Sequence, residues 1–430
     1  MNPNPELVAQ SKQFEKQVIK LAPDVYGAIG FSASNVFMLI GDDGLVIIDT
    51  TESTKAAENI WAEFRKITDK PVKTIIYTHS HRDHISGASV FAEGGSPEII
   101  VSDIFESDLV GVDNSVPTPV KALLARTKRQ FGMGMSFPDE RVSIGIGPGD
   151  RPLEGLGAGF LEPTLYVSEE RSSIIRCGLE LELVKAPGET PDHIVCWYED
   201  RRILFSGDNF YSAFPNLYAI RGTTYRDFTA WANTLDLLLE FDADILAAGH
   251  TMPVIGAKQV KQALADYRDA INYVVSETVA GMNQQKGPDE LAHSISLPAE
   301  LAGKPYLKEF YGKVSWSVRA YFAGTLGWFD GNPTNLAKLS PQQTAERTIK
   351  LAGGVDELLK TAQNAAAEND HQWVLELTDH LIVANQQAAA AKALKVAALR
   401  AMADLEINAP GRNYYLVSAY EIEQSSAQST

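Results

Sequence analysis

At 430 residues, with 45% hydrophobic side chains and no apolar run near the roughly 18 residues of a membrane span, the chain reads as two globular domains with no membrane helix. Its formal charge of −17 disfavours nucleic acid and anionic membranes as partners; a small anion remains possible, because surface charge is screened beyond about 8 Å. Cys177 and Cys196, the two cysteines, lie in apolar strand-like surroundings and read as buried free thiols rather than a disulfide framework.

Residues 1 to 20 are polar and amphipathic without a signal-peptide core, which favours a cytoplasmic protein. Val36 to Ile40 and Leu45 to Asp49 flank Gly41-Asp42-Asp43-Gly44 and predict a β-hairpin, the first strands of the fold. Ser53 to Lys66 then reads as an amphipathic helix with Ser53 or Thr54 as N-cap.

The run Val72 to Tyr77 is β-branched and aromatic, and predicts a buried strand that ends in His79-Ser80-His81-Arg82-Asp83-His84. Three of the eight histidines fall in these six residues with an acid among them, which a chance polar loop does not explain. On a tight loop His79 and His81 can face one metal ion while Asp83 and His84 face a second, and Zn²⁺ suits such donors. Ile85-Ser86-Gly87 is expected to open a helix.

This HxHxDH pattern resembles that of the metallo-β-lactamase superfamily, over roughly Asp24 to Gly256. The resemblance implies an α/β fold, an αββα sandwich with the metals at the mouth between two sheets.

Asp103 to Gly149 has no clear periodicity and reads as an insert walling the cleft; its glycine-rich runs lack the context of a phosphate-binding loop. Leu179 to Val184 restarts strand alternation and delivers Glu189 and His193. The superfamily usually has a histidine at the position of Glu189, as third ligand of the first metal. Here a carboxylate stands in, with His193 as the weaker rival. Asp208 follows Gly207 at the end of the strand Arg202 to Ser206, placed to bridge two cations. His250 ends Asp244 to Gly249, the expected last strand, and is assigned to the second metal with Asp83 and His84.

Asn216-Leu217-Tyr218-Ala219-Ile220-Arg221-Gly222, with Arg226-Asp227, resembles a stretch of the zinc-dependent alkyl sulfatases of this superfamily. So do Tyr306 to Gly312, Gly327 to Pro333 and Gly411 to Leu416, which are similar to their helical dimerisation domain. The resemblance implies a catalytic domain over 1–256, an all-α dimerisation domain over 257–430, two Zn²⁺ per chain and a homodimer. The large aromatic residues Trp316, Tyr321, Phe322, Trp328 and Phe329 fit an assembly surface. Two departures are Asp208 and Pro215, where these sulfatases usually have Glu and His. A third is that their C-terminal sterol-carrier-like domain is not seen. Helical segments within 357–402 look tetratricopeptide-like but carry no fixed repeat.

The expected chemistry is hydrolysis of sulfate esters of alkyl alcohols, with release of inorganic sulfate. Two zinc ions beside Asp83, Glu189 and Asp208 leave a slightly positive site able to lower the pKa of a shared water toward ~7, giving a metal-bound hydroxide. Arg221 offers a planar fork to two sulfate oxygens, with Asn216, Tyr218 and Arg226 as further substrate contacts; Asp208 and Tyr218 are the catalytic candidates. The alternatives on the same fold are a phosphodiesterase, lactonase or β-lactamase. A non-catalytic dimeric scaffold is disfavoured, because structural zinc sites are closed and four-coordinate.

Overall fold

A computed structural model describes residues 2–106 and 119–427, so part of the insert, residues 107–118, lies outside the described residues. Among the described residues the strands form two sheets. The first, in sequence order, holds β1 (Gln17–Ala22), β2 (Val25–Ile29), β3 (Val36–Ile40), β4 (Leu45–Ile48), β5 (Val72–Ile76), β6 (Glu98–Ser102) and β7 (Leu165–Val167). The second holds β8 (Arg171–Arg176), β9 (Leu179–Lys185), β10 (Ile194–Tyr198), β11 (Ile203–Gly207), β12 (Ile245–Ala248) and β13 (Val254–Ile255). The hairpin of β3 and β4 is antiparallel, while β4 to β7 run parallel, which directs the ends of β4 and β5 to one edge.

Strand alternation sorts side chains into layers. Leu183 and Phe205 face inward, where Phe37 and Phe205 meet edge to face at 5.2 Å between ring centroids. Their neighbours Val184 and Leu204 face outward, onto Trp231 and Leu235 of the helix Phe228–Leu238. On the first sheet Met38, Ile47 and Ile75 turn to Ile60, Trp61 and Phe64 of the helix Thr54–Phe64, capped by Ser53. These layers form the αββα sandwich, and a deletion such as Phe205→Ala in its middle costs about 3–5 kcal/mol.

Three details differ from the sequence reading. The sheet begins earlier, with β1 and β2, because Val25 and Ile29 are fully buried although β1 is an open edge of mixed polarity. A two-residue strand, β13, follows β12. Within the insert, Val120–Gln130 is a helix whose one buried residue is Gln130; nearly all of it faces water, which is why no apolar stripe marks it.

The boundary drawn at 256/257 falls just before the long helix Ala257–Asn283, whose Ala263, Tyr267 and Ile271 pack in the same cluster as Trp231 and Leu246. Beyond it come Pro288–Ser294, Val314–Leu326 and a run of helices from Pro341–Leu351 to Ala388–Leu405. The final helix, Ala409–Ala427, returns to the N-terminal half, where Arg412 donates to Glu140 O at 2.9 Å. No helix among the described residues is long and apolar enough to cross a membrane.

Candidate metal centre

The ends of β5, β11 and β12 deliver the cluster, with Glu189 on the turn between β9 and β10. The helical turn Arg82–Ile85 itself carries Asp83 and His84, rather than starting after them. Three sets of side chains bring their donor atoms within 4.8 Å of one another: His79, His84 and Asp208; Asp83, His84 and His250; His81, Glu189 and Asp208. All seven residues singled out in the sequence therefore meet. His79, His84, His250, Asp208 and Glu189 are buried, whereas His81 and Asp83 are partly open and line the mouth.

Asp208 sits between the sets. Its Oδ2 lies 3.1 Å from His250 Nε2 and 3.8 Å from His79 Nε2, and its Oδ1 is 3.3 Å from His84 Nε2. Close approach here requires glycine. A Cβ on Gly249 would lie 2.5 Å from Asp208 Oδ1, and one on Gly207, at φ +51°, would lie 2.4 Å from His193 Nε2.

The donor set fits a metal on the structure's own terms. His84 Nε2 and Asp208 Oδ1 are buried and face one another at 3.3 Å without a well-formed hydrogen bond to any described residue, and a cation there would use both. Burial, reinforced by neighbouring positive charge, holds His79 and His81 well below the ordinary histidine range, and neutral imidazole is the form that binds metal. At the other end burial opposes charge on His84 and His250, yet Asp208 outweighs it, aided by Asp49 at His84 and by Asp83 at both. Burial pushes the Glu189 carboxyl up to about 7 against the pull of Arg226.

His193 has another task. Its Nε2 accepts from the Asp208 backbone N–H at 3.0 Å and its ring stacks on His79 at 4.2 Å; burial lowers its pKa to about 3, so it stays a neutral acceptor.

Several residues that hold the cluster were not singled out in the sequence. Asp49, at the end of β4 with φ 59°, accepts from His84 Nδ1 at 2.7 Å and from the Thr78 N–H at 2.8 Å. Its signal was available: an acid closing an apolar strand, the pattern that marks Asp208. The Ala33 carbonyl accepts from His250 Nδ1 at 2.6 Å. Tyr211 donates to Glu189 Oε2 at 3.2 Å and accepts from the Asn216 N–H at 2.8 Å. Tyr311, buried beside Tyr211 and affected by the charges of Glu189, Arg221 and Asp83, brings a C-terminal residue to the same space.

The expected substrate residues fall in different places. Arg226 is buried, with Nη1 2.8 Å from Glu189 Oε1 and also donating to Asn216 O, so it clamps Glu189 rather than lining the opening. Asn216 is buried as well. Arg221 is partly exposed and close enough to His81 and Tyr311 for its charge to act on both. Its guanidinium donates to Gly222 O at 3.1 Å, and no carboxylate among the described residues pairs with it. Tyr218 is half-buried, its hydroxyl without a hydrogen bond to the described residues. Pro215 is buried, its carbonyl so close to Gly312 that a Cβ there would lie 2.0 Å away.

An αββα sandwich that gathers histidines and carboxylates at one edge defines a metal-dependent hydrolase of the metallo-β-lactamase kind. The sequence matches the metallo-beta-lactamase superfamily over residues 29–250 and the alkyl sulfatase dimerisation family over residues 287–425, and the chain belongs to the alkylsulfatase branch of that superfamily. It is 37% identical over 395 residues to a linear primary-alkylsulfatase from a Pseudomonas strain, covering 90% of this chain and 73% of the relative. It is 29% identical over 415 residues to an (R)-specific secondary-alkylsulfatase from Pseudomonas sp., covering 94% of this chain but only 62% of that protein. The solved structure of the stereoselective inverting sec-alkylsulfatase Pisa1 from Pseudomonas sp. is similar with a TM-score of 0.87 at 28% identity, over 98% of this chain and 68% of that one.

Proposed function

We propose that the chain hydrolyses sulfate esters of alkyl alcohols and releases inorganic sulfate at a site holding two zinc ions, with His79, His81 and Glu189 on one, Asp83, His84 and His250 on the other, and Asp208 bridging. The observation that carries this reading is the position of Asp208, whose two oxygens reach histidines of both sets, in a chain whose relatives are named alkylsulfatases. A bound zinc pair supplies an activated water near neutral pH and polarises the ester oxygens.

The protein's part is positioning. Tyr211 and Arg226 grip one oxygen each of Glu189, which fixes the buried carboxylate. Asp49 and the Ala33 carbonyl set the ring orientation of His84 and His250. Arg221 at the opening offers a fork matched to two oxygens of a singly charged sulfate, with Tyr218 beside it. Pro215 can neither donate nor hold a proton there, so leaving-group protonation does not run through that position. A phosphomonoester would carry nearly two charges and call for more cations than Arg221 alone.

A homodimer goes with this reading. Leu326, Trp328, Leu336 and Leu351 are 56%, 76%, 63% and 89% exposed, while Phe322 in the same region is buried. These exposed apolar side chains, all within the dimerisation family's span, suit burial against a second copy.

The test is a substrate panel. Zinc-loaded protein is expected to release sulfate from primary or secondary alkyl sulfates and to leave phosphate esters, lactones and β-lactams largely untouched; turnover confined to one of those other classes overturns the proposal.

A further inference from the structure

The backbone that presents Arg221 is held from outside the metal cluster. Gln130, at the last turn of the helix Val120–Gln130, accepts the Arg221 N–H on Oε1 at 2.8 Å. One turn earlier Arg126 donates to the neighbouring Ile220 carbonyl through Nη2 at 2.7 Å. Residues four apart share a helix face, so this face clasps the peptide on the N-terminal side of Arg221. On its other side Gly222, at φ +109°, adopts a backbone that L residues rarely visit, and its N–H closes a turn onto Ala219 O at 2.9 Å.

The clasping helix is itself held by polar contacts, since Gln130 is its only buried residue. Those contacts come from the C-terminal helix Ala409–Ala427: Asn413 Nδ2 donates to Gln130 O at 3.3 Å, and Arg129 pairs with Glu421 at 2.8 Å. The Gln130 amide is 1% exposed, and its Nε2 is bonded to nothing among the described residues. The amide orientation follows from the donor it meets, because only the oxygen can accept an N–H. Among the described residues its side chain thus makes one hydrogen bond, and that bond goes to Arg221.

We propose that Gln130 is a positioning residue for Arg221, and that the C-terminal helix sets the presentation of the substrate anchor through it. This rests on Arg221 anchoring the sulfate group. Without the Gln130 acceptor the peptide at 221 keeps the Arg126 bond to its carbonyl but loses the one to its N–H, and the guanidinium meets the anion from a wider set of positions.

The experiment is a double-mutant cycle of Gln130→Met with Arg221→Ala, read as KM and kcat for a short alkyl sulfate, with zinc content and melting temperature measured on each protein. Gln130→Met keeps the volume and removes the acceptor. It is expected to raise KM roughly five- to tenfold, the worth of one buried hydrogen bond, with kcat and zinc content close to wild type. Gln130→Glu, which keeps an acceptor, should recover most of the loss. In the Arg221→Ala background Gln130→Met should add almost nothing, because the group it positions is gone. An equal loss in both backgrounds, or an unchanged KM in Gln130→Met, overturns the proposal while leaving the anchor reading intact. If Arg221→Ala itself leaves KM and kcat unchanged, the anchor reading falls and the positioning role with it. Should Gln130→Met not fold, Arg126→Ala takes its place in the cycle, with a smaller KM rise expected and no rise counting against the clasp.

Discussion

Asp49 Oδ2 accepts from His84 Nδ1 at 2.7 Å, with both side chains buried, and this fixes which nitrogen of His84 is left for a metal. The same carboxylate accepts from the Thr78 N–H and hydroxyl, so it also sets the backbone just before His79. Asp49 thus joins the end of β4 to both ends of the histidine motif. Removing such a partner typically costs a metal site about 10–100-fold in affinity. Asp49→Ala is expected to weaken zinc binding by that order, measured by competition with a chromophoric chelator; unchanged affinity would show that the packed loop orients His84 without it.

Glu189 and His193 are both buried near the cluster, but they face different atoms. His193 Nε2 is committed to the Asp208 N–H, while the Glu189 oxygens face His81, Arg226 and Tyr211. Glu189→Gln should therefore lose one metal and nearly all activity, and His193→Ala should keep both metals with some loss of stability. Metal analysis of the two variants decides, and the opposite pattern would transfer the ligand role to His193.

Arg221 has no carboxylate partner among the described residues, so its charge remains available at the opening. Loss of a desolvated bidentate contact to an anion costs on the order of 2–5 kcal/mol, which predicts that Arg221→Ala lowers kcat/KM for a sulfate ester by roughly two to three powers of ten. Arg221→Lys should restore only part, since a point charge replaces the planar fork. Near-normal turnover by the alanine variant with its metals in place would make Arg221 structural.

The exposed side chains Leu326, Trp328, Leu336 and Leu351 bear on assembly. Light scattering at micromolar concentration should give a dimer, and Trp328→Asp, placed where the side chain is 76% exposed, should shift it toward monomer with little effect on the monomer's own core. A wild-type monomer under those conditions would remove the dimer proposal.

Much of the metal cluster was legible because each residue ends an apolar strand or follows a sharp turn, and strand periodicity is a local signal. The parts that were hidden depend on partners far away in sequence. Asp49 meets His84 across 35 residues, and Tyr211 meets Glu189 across 22, so neither bond leaves a short-range pattern. Arg226 carries the same formal charge as Arg221, and only burial against Glu189 separates a clamp from an anchor. The helix Val120–Gln130 escaped because its register is set by polar contacts to Arg221 and Asn413 rather than by an apolar face. Conversely, the helical turn Arg82–Ile85 begins earlier than its sequence suggested, because Asp83 and His84 have to project from a rigid turn rather than from a loop.

The most direct measurement is a zinc titration of the metal-free protein that follows bound metal and sulfate released from an alkyl sulfate in the same samples. Activity is expected to rise steeply only as the second ion binds and to level off close to two zinc ions per chain. Full sulfatase activity at one ion per chain would contradict a centre in which Asp208 joins two sets of ligands.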